Sequence, residues 1–236
     1  MMSDTLQKKQ TWKMFNRIAW RYDLLNRMLS FRRDVIWRKK CARLVPRNRA
    51  LTVLDLATGT GDLLLEILKA RPNIKMGIGI DPAMGMLSIA RRKTSPSRAV
   101  LLQGDAQKMS FKTEAMDITT MAFGIRNISD VDMALREMYR VLVFGGKALI
   151  LEFSLPNQTF IRKAYLLYFR YILPRLGGLI SGDRAAYHYL NQTVENFPYG
   201  ETFCRRMIDA GFVDVTGLPL TFGIVTLYSG TKREHD

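Results

Sequence analysis

Apolar positions along the chain follow two rhythms. Stretches rich in aliphatic or β-branched residues span 52–54, 75–80, 99–103, 117–123 and 147–153, and each predicts a strand. Between them the apolar residues recur every three or four positions, at 62–71, from Pro82 through MGMLSIARRK, and at 130–142, which predicts helices. Pro72 stops the first of these, Pro82 opens the second at its first position, and Gly145-Gly146 turn the third into the fifth strand. Strands alternating with helices imply a mainly parallel, doubly wound sheet, so the fold class is α/β. Two last runs, 212–218 and 223–229, leave no room for a helix between them and predict an antiparallel hairpin on the sheet edge, completing seven strands.

Two flanking stretches fall outside this alternation. Residues 5–45 read as helix with two breaks, Asp23 and Ser30 each able to cap a following helix, and Pro46 ending the segment. Because it precedes the first strand, 1–46 is an N-terminal helical cover, acting as a lid on a site or packing without touching a ligand. Residues 155–200 are an insertion whose core, AYLLYFRYILPRLGGLISG, mixes aromatic and aliphatic residues, with Arg162, Lys163, Arg170 and Arg175 interspersed. It reads either as core helices with solvated charges or as an amphipathic surface for an apolar substrate or a membrane. The length of 236 residues suits a single domain, 1–236.

The stretch LTVLDLATGTGD, 51–62, carries the candidate chemistry. It is a strand ending in Asp55, then a turn in which Gly59 and Gly61 let a ligand approach the backbone, then a helix start. A dinucleotide fingerprint needs a third glycine where Leu64 stands, and a P-loop needs a lysine where Asp62 stands, so both patterns fail. Asp81 closes the second strand, where a carboxylate can accept two ribose hydroxyls. Asp105 follows the third, where a carboxylate and a neighbouring N–H can read an adenine edge. Three acids and no phosphate-binding lysine suit a cationic adenosine cofactor, the profile of S-adenosylmethionine. Each acid alone also has a plain reading: Asp55 as a turn residue, Asp81 as the cap before Pro82, Asp105 as a turn former.

Composition narrows the setting. The net charge of +15 invites an anionic partner: nucleic acid, an acidic membrane surface or an anionic ligand. Two cysteines, Cys41 and Cys204, lie far apart in helical patterns, which suggests a reducing compartment without a disulfide framework. With two histidines a Cys/His metal cluster is not expected, so no metal is assigned. MMSDTLQKKQ has no apolar core and does not read as a signal peptide, and no apolar run reaches spanning length. The expected location is the cytoplasm, at most peripheral at the inner face of the cytoplasmic membrane.

VLDLATGTGDLLLEI, GIDPAMGML, LLQGDAQKMSF and LREMYRVLVFGGKALILEFS resemble the class I S-adenosylmethionine-dependent methyltransferases. More narrowly, YDLLNRMLS (22–30) with Trp37, and RVLVFGGKALILEFS (140–154), resemble the two signatures of the ubiquinone/menaquinone C-methyltransferases, and FGIRN (123–127) and TFGIVTLYSGTK also fit. The resemblance runs from about Phe15 to Lys232. It implies that Thr60, with the 59–61 turn, holds the methionine end of the cofactor, Asp81 the ribose, and Asp105 with Ala106 the adenine. Departures are Asp34 where the family usually has His, Ala57 for a frequent Gly, a mild change, Ala122 for a Ser in some relatives, and Phe144 for the usual Pro.

The implied reaction moves a methyl group from the sulfonium of S-adenosylmethionine to a ring carbon of a lipophilic demethylated quinol, a naphthoquinol or also a benzoquinol. That chemistry requires no covalent protein nucleophile, which suits a chain without a candidate reactive cysteine. Arg126 and Asn127, just past the fourth strand, are the catalytic candidates, with Arg126 stabilising a phenolate; the plain alternative pairs Arg126 with Glu152. Tyr22 and His188 are weaker candidates. Rival readings are an RNA or other small-molecule methyltransferase, and a non-catalytic membrane-surface protein on the same fold. Against RNA, the fourth strand ends in Phe-Gly-Ile-Arg and not in an Asn/Asp-Pro-Pro-aromatic run, so nucleic acid is not the expected partner. Transient contact with an anionic membrane surface is expected, and a homo-oligomer is allowed.

Overall fold

A computed structural model describes residues 11–95, 98–172, 175 and 184–233. The chain opens with helices α1 (Thr11–Leu29) and α2 (Arg33–Arg43), then enters the alternation: β1 (Leu51–Leu56), α3 (Asp62–Ala70), β2 (Ile74–Asp81), α4 (Met84–Thr94), β3 (Ala99–Gln103) and β4 (Met116–Ala122). It continues through a short 3-10 turn (Ile125–Asn127), α5 (Val131–Val141), β5 (Leu142–Phe153), α6 (Thr159–Leu167) and a π-helical turn (Tyr168–Ile172). Then come α7 (Arg184–Asn196), α8 (Glu201–Asp209), β6 (Phe212–Leu220) and β7 (Val225–Lys232).

The seven strands lie in the order β3-β2-β1-β4-β5-β7-β6. The four pairings from β3 to β5 are parallel, and β7 inserts antiparallel between β5 and the edge strand β6. This is the expected doubly wound sheet with its edge hairpin. Both faces are covered, which is why the central strands read as stretches rich in apolar residues. Leu54, Leu56, Met121 and Ile150 pack with Leu135 and Met138 of α5 and Phe203 of α8. Val53, Ile118 and Leu149 pack on the other face with Trp37 of α2, Leu64 of α3 and Leu87 of α4. No helix among the described residues is long and apolar enough to cross a membrane.

Three expectations need correction. First, α1 runs unbroken through Asp23, because that carboxylate is bonded to Thr60 and Lys93 and does not cap a helix. Ser30 does serve the next helix, accepting the Asp34 N–H at 3.3 Å. Secondly, β5 begins at Leu142, and Gly145-Gly146 form a bulge inside it: the register jumps from Met116↔Leu142 to Ile118↔Lys147. A Cβ at Gly146 would sit 2.8 Å from the Val143 carbonyl oxygen, so that bulge needs glycine. Thirdly, Ala57 is not a mild substitution. Its φ is +48°, a left-handed conformation that costs a non-glycine residue about 1–2 kcal/mol. Residues 5–10 of the expected helix, and 173–174 and 176–183 of the insertion, lie outside the described residues.

Candidate active site

The carboxyl ends of β1, β2, β3 and β4 face α1, and two adjoining cavities lie between them. The first, about 520 Å³, has Gly59, Asp81, Asp105 and Ala106 along its floor, with Thr11, Trp12 and Phe15 of α1 across it. Asp81 is buried. Its carboxylate accepts the N–H of Gly59 at 2.9 Å and of Ala83 at 2.8 Å, so the plain capping role and the cavity-facing role coexist. Burial pushes its pKa up to about 6, against the pull of those two N–H bonds. Asp105 is exposed to the cavity and held by the N–H of Gln107 at 2.9 Å and by its amide at 3.1 Å. Gly59 has φ +57°, and a Cβ built there meets only the Ala57 carbonyl oxygen, at 4.0 Å. Two carboxylates, an open glycine and no lysine or arginine among the described lining residues fit an adenosine-bearing cation, not a phosphate ester.

Three residues expected at the cofactor do not line this cavity. Asp55 lies beneath the turn, its two oxygens taken by Thr58 and Thr120 hydroxyls at 2.6 Å each. Burial raises its pKa to about 6 despite those bonds. The Thr60 hydroxyl donates to Asp23 of α1 at 2.6 Å and accepts from Lys93 at 2.9 Å. Gly61, with φ +79°, sits against Ala90 and Thr94 of α4: a Cβ there would come 3.2 Å from the Ala90 Cβ. These residues shape and fasten the turn. Lys93 also pairs with Asp23, and with Asp62 at 2.6 Å, while Asn16 of α1 accepts the Gly85 N–H at 2.7 Å. The N-terminal helix is thereby tied down at two points beside the cavity.

The second cavity, about 510 Å³, is walled by aromatic side chains, including Trp37, Phe123, Phe153, Tyr165 and Phe169. Phe123 and Phe153 pack with centroids 4.7 Å apart and planes tilted by 37°, and Trp37 is fixed by donating to Thr221 at 2.8 Å. Four residues line both cavities: Phe15, Tyr22, Phe123 and Asn127. Phe123 has φ +58° and turns the chain out of β4 into the 3-10 turn that carries Arg126 and Asn127. Gly124 must be glycine there, because a Cβ would lie 2.7 Å from the Ala57 Cβ.

Arg126 is buried on the wall of the second cavity. One terminal nitrogen, Nη1, donates to Glu152 at 2.6 Å and to the Phe123 carbonyl at 2.7 Å, so the Glu152 pairing is present. Its Nε and the Asn127 Oδ1 are buried without a partner. Tyr22, half-buried, lines the same cavity. Burial raises its pKa, with a hydrogen bond to Asn26 and the Arg126 and Arg38 charges pulling the other way. Burial also raises the pKa of both Cys41 and Cys204, so neither is a poised thiolate. The side chain of His188 lies outside those described.

A sequence reading centred on 51–62 misses Arg38. Its guanidinium lies on the second cavity's wall, paired with buried Asp34 at 2.5 Å. In the fold Asp34, Trp37, Arg38 and Cys41 form one buried stripe of α2, which puts two charges in core positions.

A ligand cavity at the carboxyl ends of a sheet of this order, closed by an antiparallel hairpin, defines an S-adenosylmethionine-dependent methyltransferase of class I. The same fold occurs in a solved S-adenosylmethionine-dependent methyltransferase of Thermotoga maritima (TM-score 0.67, 22% identity, covering 94% of this chain and 99% of that one). It occurs too in phosphoethanolamine N-methyltransferase 2 of Haemonchus contortus with S-adenosyl-L-methionine (TM-score 0.60, 16% identity, covering 81% and 51%). The model of the ubiE/COQ5 methyltransferase family matches residues 3–232, and the chain belongs to that family. It is 44% identical over 234 residues, 98% of each chain, to the ubiquinone/menaquinone biosynthesis C-methyltransferase of Syntrophotalea carbinolica. To the demethylmenaquinone methyltransferase of Thermus thermophilus it is 44% identical over 221 residues, covering 93% of this chain and 100% of the other. It is a methyltransferase, and S-adenosylmethionine is its methyl donor.

Proposed function

We propose that this methyltransferase C-methylates a demethylated isoprenoid quinol, converting demethylmenaquinol, or a corresponding benzoquinol, to the methylated quinol. The observation that carries the reading is an aromatic-walled cavity meeting the carboxylate-lined cofactor cavity across Phe15, Tyr22, Phe123 and Asn127. The relatives' quinone substrates support it and leave the RNA and scaffold alternatives unfavoured.

In this reading Asp81 takes the ribose hydroxyls, Asp105 and Ala106 the adenine edge, and Gly59 gives the methionine end room against the backbone. Asp55 acts one step removed, fixing the turn through Thr58, while Thr60 and Gly61 set the turn's contacts with α1 and α4. When bound, the cofactor supplies an electrophilic methyl group on sulfur. The protein's task is to align the ring carbon with it and to favour the electron-rich phenolate form. Arg126 serves as the oxyanion stabiliser: Glu152 fixes the guanidinium in place, and the N–H groups it leaves over are the donors. Asn127, on both walls, aligns the hydroxyl, and Tyr22 keeps its proton and can donate a hydrogen bond beside it. The whole chain, 1–236, works as one domain, with 1–46 as cover and 155–200 on the acceptor side.

The acceptor's tail reaches this cavity from a membrane. Phe31, on the cavity wall, is 77% exposed, and Phe160 and Phe222, next to lining residues Ile161 and Thr221, are 83% and 74% exposed. With a +15 charge, this surface suits transient contact with anionic lipid on the inner face of the cytoplasmic membrane. A reduced, short-chain demethylmenaquinol with S-adenosylmethionine should yield a product one methylene heavier, by mass spectrometry. Methylation of RNA alone would sink the reading. Phe31→Ser with Phe160→Ser should lower sedimentation with phosphatidylglycerol vesicles, and unchanged sedimentation would refute the membrane face.

A further inference from the structure

We propose that Arg38 grips the far oxygen of the acceptor ring, the hydroxyl para to the one Arg126 serves. The site would thus recognise a 1,4-dihydroxyarene as a two-oxygen unit. The inference rests on the acceptor reading above and on three observations.

The first is position. Arg38 lines the aromatic cavity but not the cofactor cavity, so its ligand is on the acceptor side. The second is a surplus of donors. Arg38 is 6% exposed and Asp34 is 3% exposed. Both oxygens of Asp34 are taken, Oδ1 by the Ser30 hydroxyl at 2.8 Å and Oδ2 by Arg38 Nη1 at 2.5 Å. A guanidinium has five N–H donors, and among the described residues that one acceptor is all Arg38 has; its Nε is buried with none. Buried donors left unmatched are costly and call for a ligand.

The third observation is symmetry with Arg126. Each arginine is buried, is held by one buried acid and has a partnerless Nε. Each lies over one ring of this tilted aromatic pair: Arg38 at 5.5 Å from Phe123, Arg126 at 5.2 Å from Phe153. Two guanidiniums flanking one pair of packed aromatic rings, tilted by 37°, match a flat ligand with an oxygen at each end. Asp34 makes this arrangement bearable, because a buried guanidinium without a counter-charge would not stay in an apolar cavity. In this chain, therefore, Asp34 is the positioning residue for the second anchor.

The test compares two acceptors, a short-chain prenylated 1,4-naphthoquinol and the prenylated 1-naphthol that keeps the activating hydroxyl and lacks the far one. Wild-type protein should favour the quinol by about ten- to a hundredfold in kcat/KM, the scale of one charge-assisted hydrogen bond. Arg38→Met combined with Asp34→Asn, which leaves no lone buried charge, should bring that preference close to one by raising the quinol KM. Its affinity for S-adenosylhomocysteine by calorimetry should stay unchanged. Arg38→Lys, which keeps the charge, should retain an intermediate preference and supplies the readout if the double variant does not fold. A preference untouched in both variants would overturn the role of Arg38 alone, as would a loss of S-adenosylhomocysteine affinity with the preference intact. Wild-type protein methylating neither acceptor would overturn the quinol reading itself, and this inference with it.

Discussion

Replacing Asp81 by asparagine separates two tasks that its carboxylate performs at once. In the folded protein the carboxylate holds the turn by accepting the Gly59 and Ala83 N–H groups, and it presents a negative charge to the cofactor cavity. The charge is costly there. A pKa pushed from the ordinary 3.8 to about 6 corresponds to roughly 3 kcal/mol against the ionised form at neutral pH. Asparagine removes that cost. Its amide can still accept one of the two N–H groups but turns an NH2 toward the other, losing one buried hydrogen bond, about 1–3 kcal/mol. The two effects nearly cancel. Folding stability should move by no more than about 2 kcal/mol, and at about 2–4 °C per kcal/mol Tm should shift by only a few degrees.

Cofactor affinity has no such compensation. Two ribose hydroxyls would lose an ionised acceptor, and charge-assisted hydrogen bonds contribute about 1.5–3 kcal/mol each. Binding of S-adenosylhomocysteine by calorimetry should weaken by about a hundredfold or more, while the thermal melt stays near that of wild-type protein. Asp81→Ala should weaken binding comparably but melt lower, because it strands both N–H groups. An asparagine variant with unchanged affinity and a clearly lower Tm would show that Asp81 only caps the turn, and the ribose assignment would be wrong.

The pH dependence of binding should share this origin: S-adenosylhomocysteine affinity should fall as pH drops through about 6 in wild-type protein and stay flat across that range in Asp81→Asn. Without ligand the sign reverses, because Asp55 and Asp81 have folded pKa values near 6, above their ordinary 3.8, and so bind protons more readily folded than unfolded. Their contribution to stability grows as pH falls from about 6 toward 4, so Tm should hold or rise there. It should drop only at lower pH, as Asp62, held below the ordinary value by the Arg38 charge and its Lys93 bond, and Asp132, held down by Arg206, become protonated; a steady fall of Tm from pH 7 downward would contradict this. Glu152→Gln leaves Arg126 buried without its counter-charge and should cost about 3–5 kcal/mol of stability, read by denaturant unfolding, and at least tenfold in kcat. Lys93→Met removes the cation joining Asp23 of α1 to Asp62, so S-adenosylhomocysteine should dissociate several-fold faster in stopped flow, with single-turnover methyl transfer unchanged.

Much of the sheet could be read from the chain, because buried parallel strands and amphipathic helices leave different periods. The limits of β3 match residue for residue, and the edge hairpin lies where two strands without an intervening helix must lie. What escaped was set by tertiary partners. Asp23 looks like a cap in isolation, but Thr60 and Lys93, 37 residues away and more, give its carboxylate partners inside a continuous helix. Thr60 sits in the glycine-rich motif, yet its hydroxyl is turned toward α1, a direction that spacing does not encode. Asp81 and Asp105 were legible because acids at successive strand ends must converge on one edge of a parallel sheet. Arg38 was not, since RRDVIWRKK reads as a solvated basic face until the fold shows which side of α2 is covered.

The two buried acids on the acceptor side resolve an electrostatic conflict specific to this reaction. A phenolate needs cationic donors close by, but the incoming methyl group is carried on a sulfonium, and an uncompensated guanidinium facing that cation would repel it. At an effective dielectric near 20, two like charges several Å apart cost about 2 kcal/mol or more, enough to lower affinity tenfold or further. Glu152 and Asp34 cancel the long-range charge of Arg126 and Arg38 while leaving their spare N–H groups to donate at short range. The cofactor cavity uses the converse arrangement: Asp81 and Asp105 stand without a lysine or arginine among its described lining residues, so the negative field there favours the cation. Charge is therefore sorted by range. In the proposed reading the donor side attracts through net charge, and the acceptor side binds through hydrogen bonds from the two acid-paired arginines. The boundary falls at Phe15, Tyr22, Phe123 and Asn127, the four uncharged residues that line both cavities.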